Sequence, residues 1–222
     1  LTSAEMRTAI LAWYKVYFGA EPDEKADPCQ RLPVMIVNKL YKTIFSEYTA
    51  TVSGAQAAVL QSLVHRLDSC RKRAMQMALI GGECLVKPVI RADRAMDFVL
   101  IDRRAFTPFG RDSRGRLTSV GTSERTVASG MTYTLLERRT LLPDGALRIE
   151  SRLFRAPSTD TNVLGIEIPL DSLPQYAGIQ PELVIPGIGS VGMAQLRTPL
   201  ENTVDGSPDA VSVYAPAMGL IR

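Results

Sequence analysis

Hydrophobic spacing changes period at Gly81-Gly82, and this change constrains the fold more than any other feature of the chain. Before it, Leu60, Leu63, Val64, Leu67, Cys70, Ala74 and Met77/Ala78 recur at three- and four-residue steps. That spacing predicts a long helix from about Gln56 to Leu79, with Arg66, Arg71, Lys72 and Arg73 on the opposite face. After it, ECLVKPVI, DFVLID, RLTSVGTSERTV, MTYTLLERRTLL, ALRIESRLFRA and VLGIEI read as short strands with period-two stretches. Asp112-Ser113-Arg114-Gly115, Ala128-Ser129-Gly130 and Pro143-Asp144-Gly145 supply turns between them. No helical pattern intervenes, so the strands should pair antiparallel as a meander rather than a doubly wound sheet. The expected fold class is α+β: N-terminal helices, including one long helix, followed by a mainly antiparallel β-sheet.

The first third should hold two more helices. Thr2-Ser3-Ala4-Glu5 reads as a capping box with Thr2 as the cap. Ile10, Trp13, Tyr14 and Tyr17 then share a helical face, and Gly19 offers a stop. EPDEKADPC (21–29) reads as a polar loop, and Pro33 suits the first position of a second helix with Val34, Val37, Leu40, Tyr41, Ile44 and Phe45 as its apolar set. YTATVS (48–53) reads as a short strand. At the far end, residues 197–222 form a loop rich in Pro and Gly that runs through Ser212-Val213-Tyr214-Ala215 into an apolar helix, which stops at Ile221-Arg222 as if cut. The expected organisation is residues 1–80 mainly helical, 81–196 antiparallel and β-rich, and 197–222 a loop leading into a truncated helix.

Composition excludes several classes. Hydrophobic residues at 45% and charged residues at 22% describe a globular chain rather than a disordered one. The longest apolar runs are far too short to span a bilayer, and LTSAEMRT lacks the layout of a signal peptide. Cys29, Cys70 and Cys84 are far apart and odd in number, which argues against a disulfide framework or zinc knuckle and fits a reducing, intracellular setting. Net charge is only +3 but unevenly spread: residues 84–155 carry 14 Lys/Arg against 8 Asp/Glu, and residues 156–222 carry 2 against 7. A basic middle beside an acidic end suggests a polar contact between copies or a weak field toward a polyanion.

Motifs that would carry chemistry are weak. GIGSVG (187–192) matches the dinucleotide fingerprint, but Pro199 follows too soon for the helix that would hold a pyrophosphate. His65, the only histidine, falls mid-helix with no nucleophile pattern nearby. Cys84, just after a helix C-terminus, should have a raised thiol pKa. Arg71-Lys72-Arg73 could meet phosphates, although a solvated helix face explains it as well. The chain is therefore expected to be no enzyme and to hold no cofactor and no metal.

The order of several short marks resembles a known family. They are Trp13-Tyr14 and Tyr17-Phe18-Gly19; Asn38-Lys39-Leu40 and Phe45-Ser46-Glu47; and Ala78-Leu79-Ile80-Gly81-Gly82-Glu83 before a strand ending Lys87-Pro88. Phe106-Thr107-Pro108-Phe109 then precedes Asp112 and Gly115, and Tyr133-Thr134-Leu135-Leu136-Glu137-Arg138-Arg139 follows. Pro199, Asn202, Gly206, Ser212, Val213, Tyr214 and Ala215 close the series. Taken together over nearly the whole chain, these resemble the N-terminal half of tailed-bacteriophage portal proteins, of the branch common in prophages of Gram-positive bacteria. The sequence departs from that pattern at GSVGMAQLRTP, where relatives are more aromatic, and at Arg139, where His is commoner.

The resemblance implies the peripheral wing of a portal subunit without its stem, clip and crown, the segment after Ser-Val-Tyr-Ala leading into the stem helix. It implies a homo-oligomeric ring, typically a dodecamer, at a capsid vertex of the virion, assembled in the host cytoplasm. Double-stranded DNA would pass through it; terminase, scaffold or major capsid protein and head-completion proteins would dock on it; no membrane is involved. Arg71, Lys72, Arg73, Arg148, Arg152 and Arg155 are the candidate residues facing a neighbouring subunit or DNA. Two other classes compete: a DNA-binding packaging accessory that uses the arginines directly, and a nucleotide-binding enzyme built on GIGSVG.

Overall fold

The computed structural model describes residues 2–19, 32–91, 95–159 and 163–218. The loop expected at 21–29, Cys29 and the helix end at Ile221-Arg222 lie outside them. The fold is α+β, with three helices followed by mainly antiparallel sheets. It divides into two compact units: residues 2–104 with 193–222, and residues 105–192. This division does not follow the change of period at Gly81-Gly82, because the first strands after it fold with the helices.

The helical unit begins with α1 (Ala4–Phe18). Its cap is Ser3 rather than Thr2: the Ser3 hydroxyl accepts the Met6 N–H at 3.0 Å. Thr2 is drawn elsewhere, its hydroxyl donating to Asp209 at 3.3 Å. Gly19 ends the helix in the left-handed region at φ 64° and donates to the Lys15 carbonyl. Met6, Ile10, Trp13 and Tyr14 enter a core with Val37 of α2 (Leu32–Ile44) and with Leu79 and Ile80 of α3 (Ala57–Gly81). Full burial of each such side chain stabilises by about 1.5–3 kcal/mol.

Both helices form where expected, their apolar faces only partly covered, and one expectation, the strand at 48–53, needs correction. Of the apolar set on α2, only Val37 is fully buried; Leu40 and Ile44 are exposed. Burial along α3 is confined to Ala74 and residues 78–81, so Leu60 and Leu67 stay exposed. Periodicity names a face but not the length over which a partner covers it. Residues 48–53 form no strand. A strand exists only as part of a ladder, and here the Val52 N–H goes instead to the Gln61 side chain at 3.0 Å.

The C-terminal part of α3 packs on a three-stranded antiparallel sheet ordered β2-β1-β9: β1 (Glu83–Ile90), β2 (Met96–Asp102) and β9 (Ala194–Arg197). Ala74 and Ala78 meet Cys84 and Val86 there, with Phe98, Leu100 and Leu196 beside them.

The second unit is the expected meander: β3 (Phe106–Arg111), β4 (Leu117–Ala128), β5 (Met131–Leu141), β6 (Leu147–Pro157) and β7 (Ile166–Ile168) in spatial order. The β4–β5 hairpin turns through Ser129 and Gly130 at φ 50° and 72°, the two left-handed residues of a type I′ turn. β8 (Glu182–Ile185) also pairs β6, so β7 and β8 occupy successive stretches of one outer edge. One face is covered by residues 170–179, where Leu170, Leu173, Tyr176 and Ile179 pack on Leu135 and Leu153.

Candidate functional site

The densest polar network in the helical unit holds residues 197–215 against the junction of α3 and β1. Gly82 sits at φ +85°, and a Cβ there would stand 2.3 Å from the Ala210 carbonyl oxygen, so the junction and the closing segment approach as only glycine allows. The Gly82 carbonyl accepts the Thr198 N–H at 3.0 Å. Glu83, fully buried, accepts from Arg197 at 3.0 Å and from the Ala210 N–H at 3.2 Å. Arg103 donates to Asp209 at 2.8 Å and to the Thr2 hydroxyl at 2.9 Å, with both charged side chains under a tenth exposed.

Asn202 organises the turn within the segment. Its amide donates to Asp205 at 2.8 Å and to the Ser207 carbonyl at 3.0 Å, and its oxygen accepts the Val204 N–H at 2.9 Å. Gly206 takes φ 67° beside it. Burial opposes ionisation of Asp205, but hydrogen bonds from Ser3, from Ser207 through its backbone and side chain, and from Asn202 outweigh it and hold its pKa at about 2.

The segment then closes the end of α3. Val213 N–H and the Ser212 hydroxyl both donate to the Leu79 carbonyl, at 3.0 and 3.1 Å, satisfying an acceptor that a helix terminus leaves without an intrahelical partner. Tyr214 donates to the Pro33 carbonyl of α2 at 2.7 Å, and burial pushes its hydroxyl pKa well up. The next residue, Ala215, opens α4 (Ala215–Met218). The position at which α4 starts is thus set by α1, α2, α3 and β1 together.

Four of the six basic residues expected at an interface have partners within the chain. Arg71 lies 4.4 Å from the Tyr48 ring and 5.0 Å from the Phe45 ring and pairs with Asp68; Lys72 lies over Tyr41. These contacts hold α2 and the residues after it against α3. Arg73 is exposed. Arg148 pairs with Glu182 on β8 and Arg152 with Glu167 on β7, at 3.4 and 3.0 Å. The basic sheet and the acidic segment therefore meet inside one chain, which accounts for much of the charge asymmetry. Arg155 stands opposite Ile166. Arg71–Arg73 belong to the helical unit and Arg148–Arg155 to the other.

The other motifs have structural roles. Gly187, Gly189 and Gly192 of GIGSVG all take positive φ in a loop that opens no helix. Gly189 donates to the Gly145 carbonyl, and Arg139, held by Glu137 at 2.8 Å, donates to the Gly192 carbonyl at 3.1 Å. A Cβ on Gly192 would stand 3.0 Å from that guanidinium. The two places where the chain departs from the portal pattern are thus in contact. His65 is exposed on α3. Burial, aided by the nearby Asp102 carboxylate, pushes the Cys84 thiol up to about 12. Among the described residues no group of His, Cys, Asp and Glu could hold a metal, and no helix is long and apolar enough to cross a membrane.

Sequence reasoning missed Arg103, Arg197 and Asp209 as a set. Their separation along the chain leaves no local pattern; the one signal was Glu83, an acid placed where a strand enters the core. No protein-family model matches the chain, and no curated protein matches it.

Proposed function

We propose that this chain is a structural subunit of a ring, the wing of a portal of the tailed-phage type, through which DNA is packaged and ejected at a capsid vertex. One observation carries the reading. Gly82, Glu83, Asn202, Gly206, Ser212 and Tyr214 are among the residues on which the resemblance rests, and they are the residues that fasten the closing segment and fix the start of α4. A wing that must aim a tunnel-lining helix needs such a joint; a free-standing binding module does not. In this reading the chain performs no chemistry of its own; terminase hydrolyses ATP, and scaffold or capsid and head-completion proteins dock on the ring in the virion.

The DNA-binding alternative is not favoured by Arg71, whose guanidinium is packed over the Tyr48 and Phe45 rings and paired with Asp68. Native mass spectrometry of the full-length natural protein tests the proposal. A single closed oligomer is expected. Monomers that bind duplex DNA with a steep salt dependence would instead support the accessory module.

A further inference from the structure

Helix α2 carries apolar residues on two opposite sides, and the described residues cover only part of one of them. Val37 faces the core. On the far side Leu32, Met35 and Ile36 are 56%, 63% and 39% exposed, while Leu40 and Ile44, nearer the Val37 side, are still 37% and 49% exposed. A helix that is apolar all round is ordinarily buried all round, and an apolar patch with a polar rim marks an interaction surface. Lys39 and Lys42 stand on the same outward side, and residues 32–44 contain no acid. The occupant must therefore bring apolar side chains and carboxylates.

The same chain carries a surface of that chemistry. Residues 156–196 contain no Lys or Arg. Within them, β7 and β8 form the outer margin of the larger sheet, where Val184, 47% exposed, shares a face with the exposed Glu167 and Glu182; Ile166, 60% exposed, stands on the other face of that edge, and Ile188, 44% exposed, follows β8. We propose that α2 of one copy docks on the β7–β8 margin of the next. The contact rests on the ring reading and deepens it: two different patches meeting head to tail make a heterologous interface, which closes into a ring or runs on as a filament. The bridges from Arg148 and Arg152 to Glu182 and Glu167 do not block it. Exposed pairs of this kind contribute little, so their carboxylates can turn to lysines of a neighbour at little cost.

Two one-sided variants test the pairing. One carries Ile36→Asp and Lys39→Glu on α2; the other carries Glu182→Lys and Val184→Lys on β8. All four positions are exposed, and far-UV circular dichroism with Trp13 fluorescence checks that each variant folds. In sedimentation velocity the wild type is expected to associate, and each variant alone to remain monomeric. An equimolar mixture should give a 1:1 dimer and nothing larger, because one intact α2 face and one intact margin remain between them. If both variants assemble like the wild type, or if the mixture stays monomeric, the α2-to-margin contact is overturned while the ring reading survives. A wild type that is monomeric at every concentration overturns both.

Discussion

Removing the carboxylate of Asp209 should destabilise the helical unit far more than removing both members of its ion pair. Arg103 and Asp209 are 2% and 7% exposed at the side chain and 2.8 Å apart. Asp209→Leu leaves a guanidinium in a site that excludes water, at a cost of about 3–5 kcal/mol. Against a total of about 5–15 kcal/mol for a domain, that is a large fraction. Arg103→Met strands the carboxylate with the Thr2 hydroxyl and should cost a similar amount. The double variant replaces the pair with apolar groups and should cost less than either single change, a coupling of about 3 kcal/mol or more. Urea unfolding followed by fluorescence reads this directly, because Trp13 is the only tryptophan, is 1% exposed and shares a core with Val211. With a slope of about 1–3 kcal/mol per molar urea, each single variant should lower the midpoint by about 1–5 M. Additive losses in the double variant, or single losses below about 1 kcal/mol, would refute the claim that a buried ion pair holds the closing segment.

Gly82→Ala should cost about 3 kcal/mol or more, because positive φ and a collision with the Ala210 carbonyl act together. Gly130→Ala, at φ +72° with nothing within 4 Å, should cost only about 1–2 kcal/mol, so equal losses in thermal unfolding would discount the crowding. Asp205 has its folded pKa depressed to about 2 from 3.8, so its contribution is present above about pH 4 and lost as pH falls toward 2. Asp205→Asn should flatten that part of the stability curve by about 1 kcal/mol, allowing for solvent screening; an unchanged curve would remove Asp205 from the network. Cys84, with its thiol raised to about 12, should resist alkylation at pH 8 until denaturant is added, as read by peptide mapping; prompt labelling of the native protein would place it outside the core.

Much of the architecture was legible because it is local. The change of period at Gly81-Gly82 gave the helix-to-strand order, and Ser129-Gly130 gave the hairpin that joins β4 to β5. The strands that went unread are short or at an edge. β3 carries Pro108 and a register shift after it, and β8 and β9 are four residues each. YTATVS misleads for the complementary reason: it has strand composition but, among the described residues, no ladder partner. The closing segment was legible only as a set of resembling positions. Its buried pairs, Arg103 with Asp209 and Glu83 with Arg197, span more than 100 residues of sequence, and no spacing rule reaches that far.

The measurement that bears most directly on the central claim is negative-stain imaging of the full-length natural protein across a range of concentrations. The account predicts closed rings with a central hole and a fixed number of subunits. Discrete monomers or dimers at every concentration would contradict it.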